Sequence, residues 1–365
     1  MTPSREMIGV LVVNFGEPEN LAPEVVQSYL ERIFLQNVDL ENHEAEAAVA
    51  RAKQLAARRA PGLIEEYEAI GGSPLNRQVD AQVGHLLEAL VGRGWAVKAY
   101  SALQFMEPTI ADKVREAHDD GVEHLVVVPL YPICGASTTV AAIARVQQEL
   151  EELDWSPRLN YVAGWHDHPD YVSLRVSNIR EYVEANGLDL SDPDTLLYFS
   201  VHGTPLKYLN EGNRYDRYVE EHTRRISTEL RLEGRYTVGF QNHSNRKIEW
   251  TQPNNEDRID TLAEHRMVVV PISFMHEQSE TLGELDHDLR DYVEEKGKEF
   301  YRVPVPHDDA RFIGFLTELV SALVGRGAED AALTPCRCSL VPGVLCTNGE
   351  RDLPPSPYVP ESPAR

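Results

Sequence analysis

Short runs of apolar and β-branched residues recur along the chain. Between them lie longer stretches in which apolar positions return every three or four residues. The runs fall at 8–13, 96–102, 124–129, 159–163, 195–201, 235–240, 267–274 and 299–303. They are apolar at consecutive rather than alternate positions, which predicts strands covered on both faces. The intervening stretches, such as 78–91 and 108–118, predict amphipathic helices. Their alternation predicts an α/β fold on parallel sheets of the doubly wound, Rossmann-like type. Ligands in such folds bind outside the carboxyl ends of the strands, so the residues that follow each run are the site candidates.

The pattern also repeats. Leu125-Val126-Val127-Val128-Pro129-Leu130-Tyr131-Pro132 and Met267-Val268-Val269-Val270-Pro271-Ile272-Ser273-Phe274 each close a strand and lead through polar residues into a helix. This weak repeat predicts two similar halves, 1–160 and 161–326. The remainder, 327–365, is rich in Ala, Cys and Pro, with Pro354, Pro355, Pro357, Pro360 and Pro363 crowding its end. It reads as an extended or loose tail unless something pins it.

Composition narrows the function classes. The chain has 365 residues, enough for two domains, and a formal net charge of −24. No basic stripe of the kind that binds nucleic acid is present. The acidity favours solubility and concentrates cations, and a salt-adapted host would produce the same bias. The start, Met1-Thr2-Pro3-Ser4-Arg5-Glu6, runs into a strand-like segment without a secretory cleavage pattern, and no apolar run approaches the ~20 residues that span a bilayer. A cytoplasmic protein, soluble or peripheral to the membrane, is the expectation.

Two segments carry candidate chemistry. In Phe199-Ser200-Val201-His202-Gly203-Thr204-Pro205 a strand ends on His202 before a Gly/Pro turn, which suits a histidine projecting into a cleft. Its ordinary pKa near 6.5 fits proton exchange at neutral pH. A structural, hydrogen-bonded histidine is the competing reading. In Ser273–Asp286, Glu277, Glu280 and Glu284 stand at i, i+3 and i+7, one face of a helix, with His287 at i+10. A row of like charges suits a divalent cation, or else a solvated acidic first turn.

These segments belong to a larger set. Val12-Val13-Asn14-Phe15-Gly16-Glu17-Pro18, Ile70-Gly71-Gly72-Ser73-Pro74-Leu75, Ser200-Val201-His202-Gly203-Thr204-Pro205 and Ser279-Glu280-Thr281-Leu282-Gly283-Glu284-Leu285-Asp286 resemble the ferrochelatase family, in its order and spacing, over roughly residues 7–325. The resemblance implies two Rossmann-like halves with a porphyrin cleft between them. It also implies insertion of ferrous iron, the substrate metal, into a porphyrin with release of two protons. His202 and Glu280 match the central catalytic, iron-binding pair. Glu277 and Glu284 match the acidic row proposed to pass iron or protons. Phe15, Ser73 and Trp250 match positions that border the porphyrin. Gln104 and Phe105 depart from the basic residue and tyrosine of the animal enzymes.

The Asn14–Gly16 turn and the segment 29–36 look closer to the protoporphyrin-using bacterial enzymes, so protoporphyrin IX is the expected substrate and haem b the product. Coproporphyrin III is the close alternative. A non-catalytic porphyrin or haem carrier would not need both His202 and the glutamate row, and a cobalt or nickel chelatase would rely on more histidines.

Cys336-Arg337-Cys338 and Cys346 form C-x-C-x7-C in the tail, with Cys134 far upstream. Four thiolates suit a 2Fe–2S cluster or a four-sulfur zinc site. Some ferrochelatases carry a 2Fe–2S cluster with one body and three tail ligands, and the resemblance implies that cluster here on Cys134, Cys336, Cys338 and Cys346. It also implies a homodimer, and a hydrophobic lip over the pocket that contacts the membrane, formed by Val25, Val26, Tyr29, Leu30, Ile33, Phe34 and Leu35.

Overall fold

The computed structural model describes residues 6–37, 45–232, 234–242, 248–325, 327–336, 339, 341–347 and 356–359. The strands are β1 (Ile8–Asn14), β2 (Val97–Leu103), β3 (His124–Pro129), β4 (Arg158–Gly164), β5 (Thr195–His202), β6 (Tyr236–Gln241), β7 (Arg266–Pro271), β8 (Glu299–Arg302), β9 (Thr334–Pro335) and β10 (Val344–Cys346). They form two sheets, in the orders β2-β1-β3-β4-β10-β9 and β6-β5-β7-β8. All ladders are parallel except β9 on β10. The first four strands of one sheet and the four of the other follow the same order of succession. The repeat seen in the sequence falls on β3 and β7, which occupy equivalent places.

The helices are α1 (Pro23–Gln36), α2 (Ala45–Ala69), α3 (Leu75–Gly92), α4 (Ile110–Asp119), α5 (Ala141–Glu152), α6 (Pro169–Ala185), α7 (Leu206–Asn210), α8 (Tyr215–Glu229), α9 (Asn255–Asp260), α10 (Arg290–Glu295) and α11 (Ala310–Gly325). Two π-helical segments, Ala136–Val140 and Glu280–Leu289, run directly into α5 and α10.

Every residue of β1 and β3 is buried. The reason is the period of two along a strand. Ile8, Val10 and Val12 face one way, against α3 and α11 through Leu75, Val79, Phe312 and Leu316. Leu11 and Val13 face the other way, into a core shared with Val114 of α4 and Ile143 of α5. That same core contains Phe199, Val201, Val268 and Val270 of the second sheet, so one apolar interior joins the two sheets. On the outer face of the second sheet, Met267 and Val269 pack on Leu285 and Leu289. Each fully buried aliphatic side chain of this kind stabilises by about 1.5–3 kcal/mol. Leu285 and Leu289 thereby fix the rotation of the π-helix that carries Glu280 and Glu284.

The chain does not part cleanly at 160/161. β4 spans that point within the first sheet, and α11 covers the first sheet although it follows the second in sequence. The tail is also held. β10 pairs with β4, and Tyr358 is buried against Phe240, with its hydroxyl donating to Glu220 at 2.6 Å. On α1, Val26, Tyr29 and Leu30 are buried against Ala56, Ala60 and Leu63 of α2, whereas Leu35 is 37% exposed. Among the described residues no helix is long and apolar enough to cross a membrane.

Candidate active site

β1 ends on Asn14 and β5, its counterpart, ends on His202. Both face the segment that links β7 to the π-helix. The Asn14 amide lies 3.0 Å from His276 Nδ1, and His202 Nδ1 lies 3.1 Å from Glu280 Oε2. His276 also contacts Gln82 of α3 at 2.8 Å. Burial lowers its pKa to about 3, so this ring is neutral and structural.

His202 is held by its backbone. Its N–H donates to Ser273 Oγ at 2.9 Å, and its carbonyl accepts from the Tyr215 hydroxyl at 3.0 Å. The turn that follows is pinned to the segment bearing Trp250. Thr204 and Thr251 exchange backbone and side-chain hydrogen bonds, and Leu206 N–H donates to the Glu249 carbonyl at 2.9 Å. Gly203 is required here, because a Cβ would sit 1.8 Å from Asn242 Oδ1, whose amide in turn donates to the Thr251 carbonyl. Trp250 is 9% exposed.

Burial pulls the His202 pKa down. The charge and hydrogen bond of Glu280, with the charge of Glu284, outweigh this and leave it raised. Glu284 is pushed up to about 8, first by burial and then by the charge of Glu280. Gln241 ties this pair together. Its amide donates to the Glu280 carbonyl at 3.2 Å and to Glu284 Oε2 at 3.0 Å. Gln241 stands directly beside His202 in the β5–β6 ladder. Reading every strand's carboxyl end as a site position would have found it.

The shared helical face expected of Glu277, Glu280 and Glu284 holds for the last two only. Glu277 lies before the helix. Its Oε1 accepts from Arg302 at 2.9 Å and from the Val305 N–H at 2.9 Å. Moreover, hydrogen bonds in a π-helix run from i to i+5, and the wider turn carries a residue three positions on away from the face. Spacing by four keeps the face better, which aligns Glu280 and Glu284 with Asp288. Asp288 adds to the upward shift of Glu284. His287 is exposed.

Phe15 packs on Phe105 with ring centres 4.5 Å apart, and edge-on to Tyr29 at 6.4 Å. The Ser73 side chain is turned to Glu17, a carboxylate that the sequence reading left out, rather than presented openly. Gln104 is fixed by Gln36, the Ser137 carbonyl and the Tyr131 hydroxyl.

Of the four cysteines, Cys338 lies outside the described residues. Cys134 and Cys346 share one core, and Cys336 packs against it. Cys346 pairs with Gly164 at the end of the β4–β10 ladder. A Cβ at Gly164 would lie 3.4 Å from that of Cys134 and 3.9 Å from that of Cys346, so both side chains flank the glycine. Among the described residues, no three Cys, His, Asp or Glu side chains form a group placed to hold a metal ion.

A sequence model of the family described as Ferrochelatase matches residues 7–323. Among curated relatives, the ferrochelatase of Picosynechococcus sp. is 33% identical over 327 residues, covering 86% of this chain and 82% of its own. That of Synechococcus sp. strain JA-3-3Ab is 34% identical over 322 residues, covering 86% and 92%. Among solved structures, CbiX, titled as the terminal enzyme of sirohaem biosynthesis in denitrifying bacteria, aligns over 86% of this chain and 98% of its own. Its TM-score is 0.50 at 16% identity, a likeness of fold.

Proposed function

The chain belongs to the ferrochelatase family, enzymes that insert metal into porphyrin, and from that premise we propose that it inserts ferrous iron into protoporphyrin IX to form haem b, with His202, Glu280 and Glu284 as the working groups. The observation that carries this reading is the His202–Glu280 contact at 3.1 Å, backed by a second carboxyl whose pKa lies near 8.

Two pyrrole protons must leave as the metal enters. With a proton on Nδ1 donated to Glu280, His202 keeps a lone pair on Nε2 and acts as the base. Its raised pKa strengthens that base. Glu284 changes charge near neutral pH, so it can take up a proton and release it to solvent. The substrate iron arrives hydrated, and the oxygens of Glu280 and Glu284 replace part of that shell. Glu277, neutralised by Arg302, serves as an anchor for the segment rather than as part of this path.

The first half supplies an apolar wall from Phe15, Tyr29, Ile33, Phe34, Phe105 and Met106. Arg32, a cation of the helix that lines this wall, is paired with Glu107 at 3.3 Å, and Gln104 is neutral. That surface suits the dicarboxylate protoporphyrin better than the tetracarboxylate coproporphyrin III. Leu35, at the exposed end of α1, is the point at which this lip would meet a membrane.

A 2Fe–2S cluster would take Cys134, Cys336, Cys338 and Cys346 as ligands; Cys134 and Cys346 flank Gly164 with Cys336 against the same core, although the three described thiols are not grouped around a common metal position. Such a cluster would supply a structural cross-link between tail and body, and metal insertion itself needs no electron transfer. The test of the substrate assignment is a side-by-side anaerobic assay with ferrous iron and either porphyrin. Faster metallation of protoporphyrin IX supports the assignment, and faster metallation of coproporphyrin III overturns it.

A further inference from the structure

Glu17 lies within the site, yet the chemistry above does not use it. It stands in the turn after β1, between Gly16 and Pro18, and is 4% exposed. A buried carboxylate is costly unless donors replace its water. Here the donors come from two distant parts of the chain. The hydroxyls of Ser73 and Ser279 both donate to it, and so does the Ser279 backbone N–H, at 3.2 Å. Tyr67 of α2 is a further hydrogen-bonding neighbour, with Tyr29 of α1 behind it.

Ser279 is the residue on which the π-helix opens, and its own side chain does not cap that helix. Backbone N–H groups at a helix start lack partners within the helix and favour a negative charge. Glu17 meets that need from the opposite half of the molecule. The next residue is Glu280, the partner of His202. Burial keeps the Glu17 carboxyl above its ordinary pKa against these hydrogen bonds, and the charge of nearby Glu280 adds to the shift.

We propose that Glu17 is a positioning residue for metal insertion: its carboxylate, steadied by Ser73, holds Ser279 and thereby sets where Glu280 stands against His202 and against the porphyrin wall that begins at Phe15. The proposal rests on the reading of His202 and Glu280 given above. Its contact with Ser279 lies one residue from Glu280, so loss of Glu17 acts first on the use of iron. The mutual packing of Phe15 and Phe105 does not depend on Glu17, and porphyrin binding is expected to persist.

The experiment compares the full-length wild type with Glu17→Ala, Glu17→Gln, Ser279→Ala and the Glu17→Ala/Ser279→Ala double variant, using ferrous iron and protoporphyrin IX. Porphyrin affinity is read separately by fluorescence. We expect Glu17→Ala to lower kcat by about tenfold or more and to raise the KM for iron, since small displacements of a reacting group carry penalties of this order. The porphyrin dissociation constant stays within about twofold. Glu17→Gln, which keeps one acceptor oxygen, falls between Ala and wild type. The double variant is no worse than Glu17→Ala, because the two changes break one interaction.

A Glu17→Ala enzyme with wild-type kcat and iron KM overturns the proposal, as does a double variant whose losses multiply. Should Glu17→Ala not fold, Glu17→Gln and Ser279→Ala carry the test. Failure of the wild type to metallate any porphyrin strikes the reading of the site itself, and this proposal with it.

Discussion

Arg302 donates to Glu277 Oε1 at 2.9 Å and grips Asp286 with two further hydrogen bonds of 2.6 Å, so one guanidinium ties the segment before the π-helix to the helix itself. The Arg302 and Glu277 side chains are 9% and 11% exposed. Removing Glu277 takes away one of the two carboxylates around this guanidinium but leaves Arg302 its hydrogen bonds to Asp286, so the cost falls below the about 3–5 kcal/mol of a buried charge left wholly unpaired. Glu277→Ala is therefore expected to lose stability in urea unfolding. Its kcat per folded molecule should stay much closer to wild type than that of Glu280→Ala. Equal kinetic losses in the two variants, at unchanged stability, would return Glu277 to the proton or iron path.

The carboxyl of Glu284 gives a signed pH dependence. Its pKa rises from the ordinary carboxylate value to about 8 in the folded chain, through burial first and the Glu280 charge second. A group raised on folding contributes stability that is fully present below its unfolded pKa. That contribution is lost as pH climbs through the folded value. His202, also raised, acts in the same direction. Without metal, the protein is expected to lose stability between about pH 5 and pH 8 on account of these groups, and Glu284→Gln should flatten that slope in thermal unfolding. A slope unchanged by the substitution would show that Glu284 is not the titrating group.

The same shift predicts proton release when a divalent cation binds. At pH 7 Glu284 is largely protonated, and a cation at Glu280 and Glu284 favours the ionised form. Calorimetric titration with zinc ions in buffers of different ionisation enthalpy should show protons leaving in the wild type and fewer leaving in Glu284→Gln. Binding heats independent of buffer would contradict this.

The fold was open to sequence reading because its strands are apolar on both faces. The repeat that ends in Pro132 and Phe274 marks two equivalent strands for the same reason. His202 was visible as a polar residue closing an apolar strand. Other parts were hidden. Glu277, Glu280 and Glu284 fit an α-helical face in sequence, and nothing local announces that the helix starts later and is wound with i to i+5 bonds. Glu17, beside a glycine and a proline, reads as a solvated turn. Its burial comes from partners 56 and 262 positions away. The tail, rich in proline, reads as loose, yet Val344–Cys346 finds the edge left open beside β4.

That edge gives a prediction for the cysteines. Gly164 lies against the side chains of both Cys134 and Cys346, and a branched side chain there would intrude on them. Gly164→Val is expected to release the tail to limited proteolysis. It should also remove any 2Fe–2S absorption from anaerobically purified protein, as Cys338→Ser should. A protease-resistant Gly164→Val protein with an unaltered visible spectrum would contradict this arrangement.

The central claim is that His202, paired with Glu280, removes the porphyrin protons while ferrous iron enters. The most direct measurement is an anaerobic visible spectrum of the protein–protoporphyrin IX complex, followed through addition of ferrous iron, for the wild type and His202→Ala. The account predicts that haem bands replace the free-porphyrin bands in the wild type, while the variant binds the porphyrin and leaves its spectrum unchanged. Near-normal haem formation by His202→Ala would contradict it.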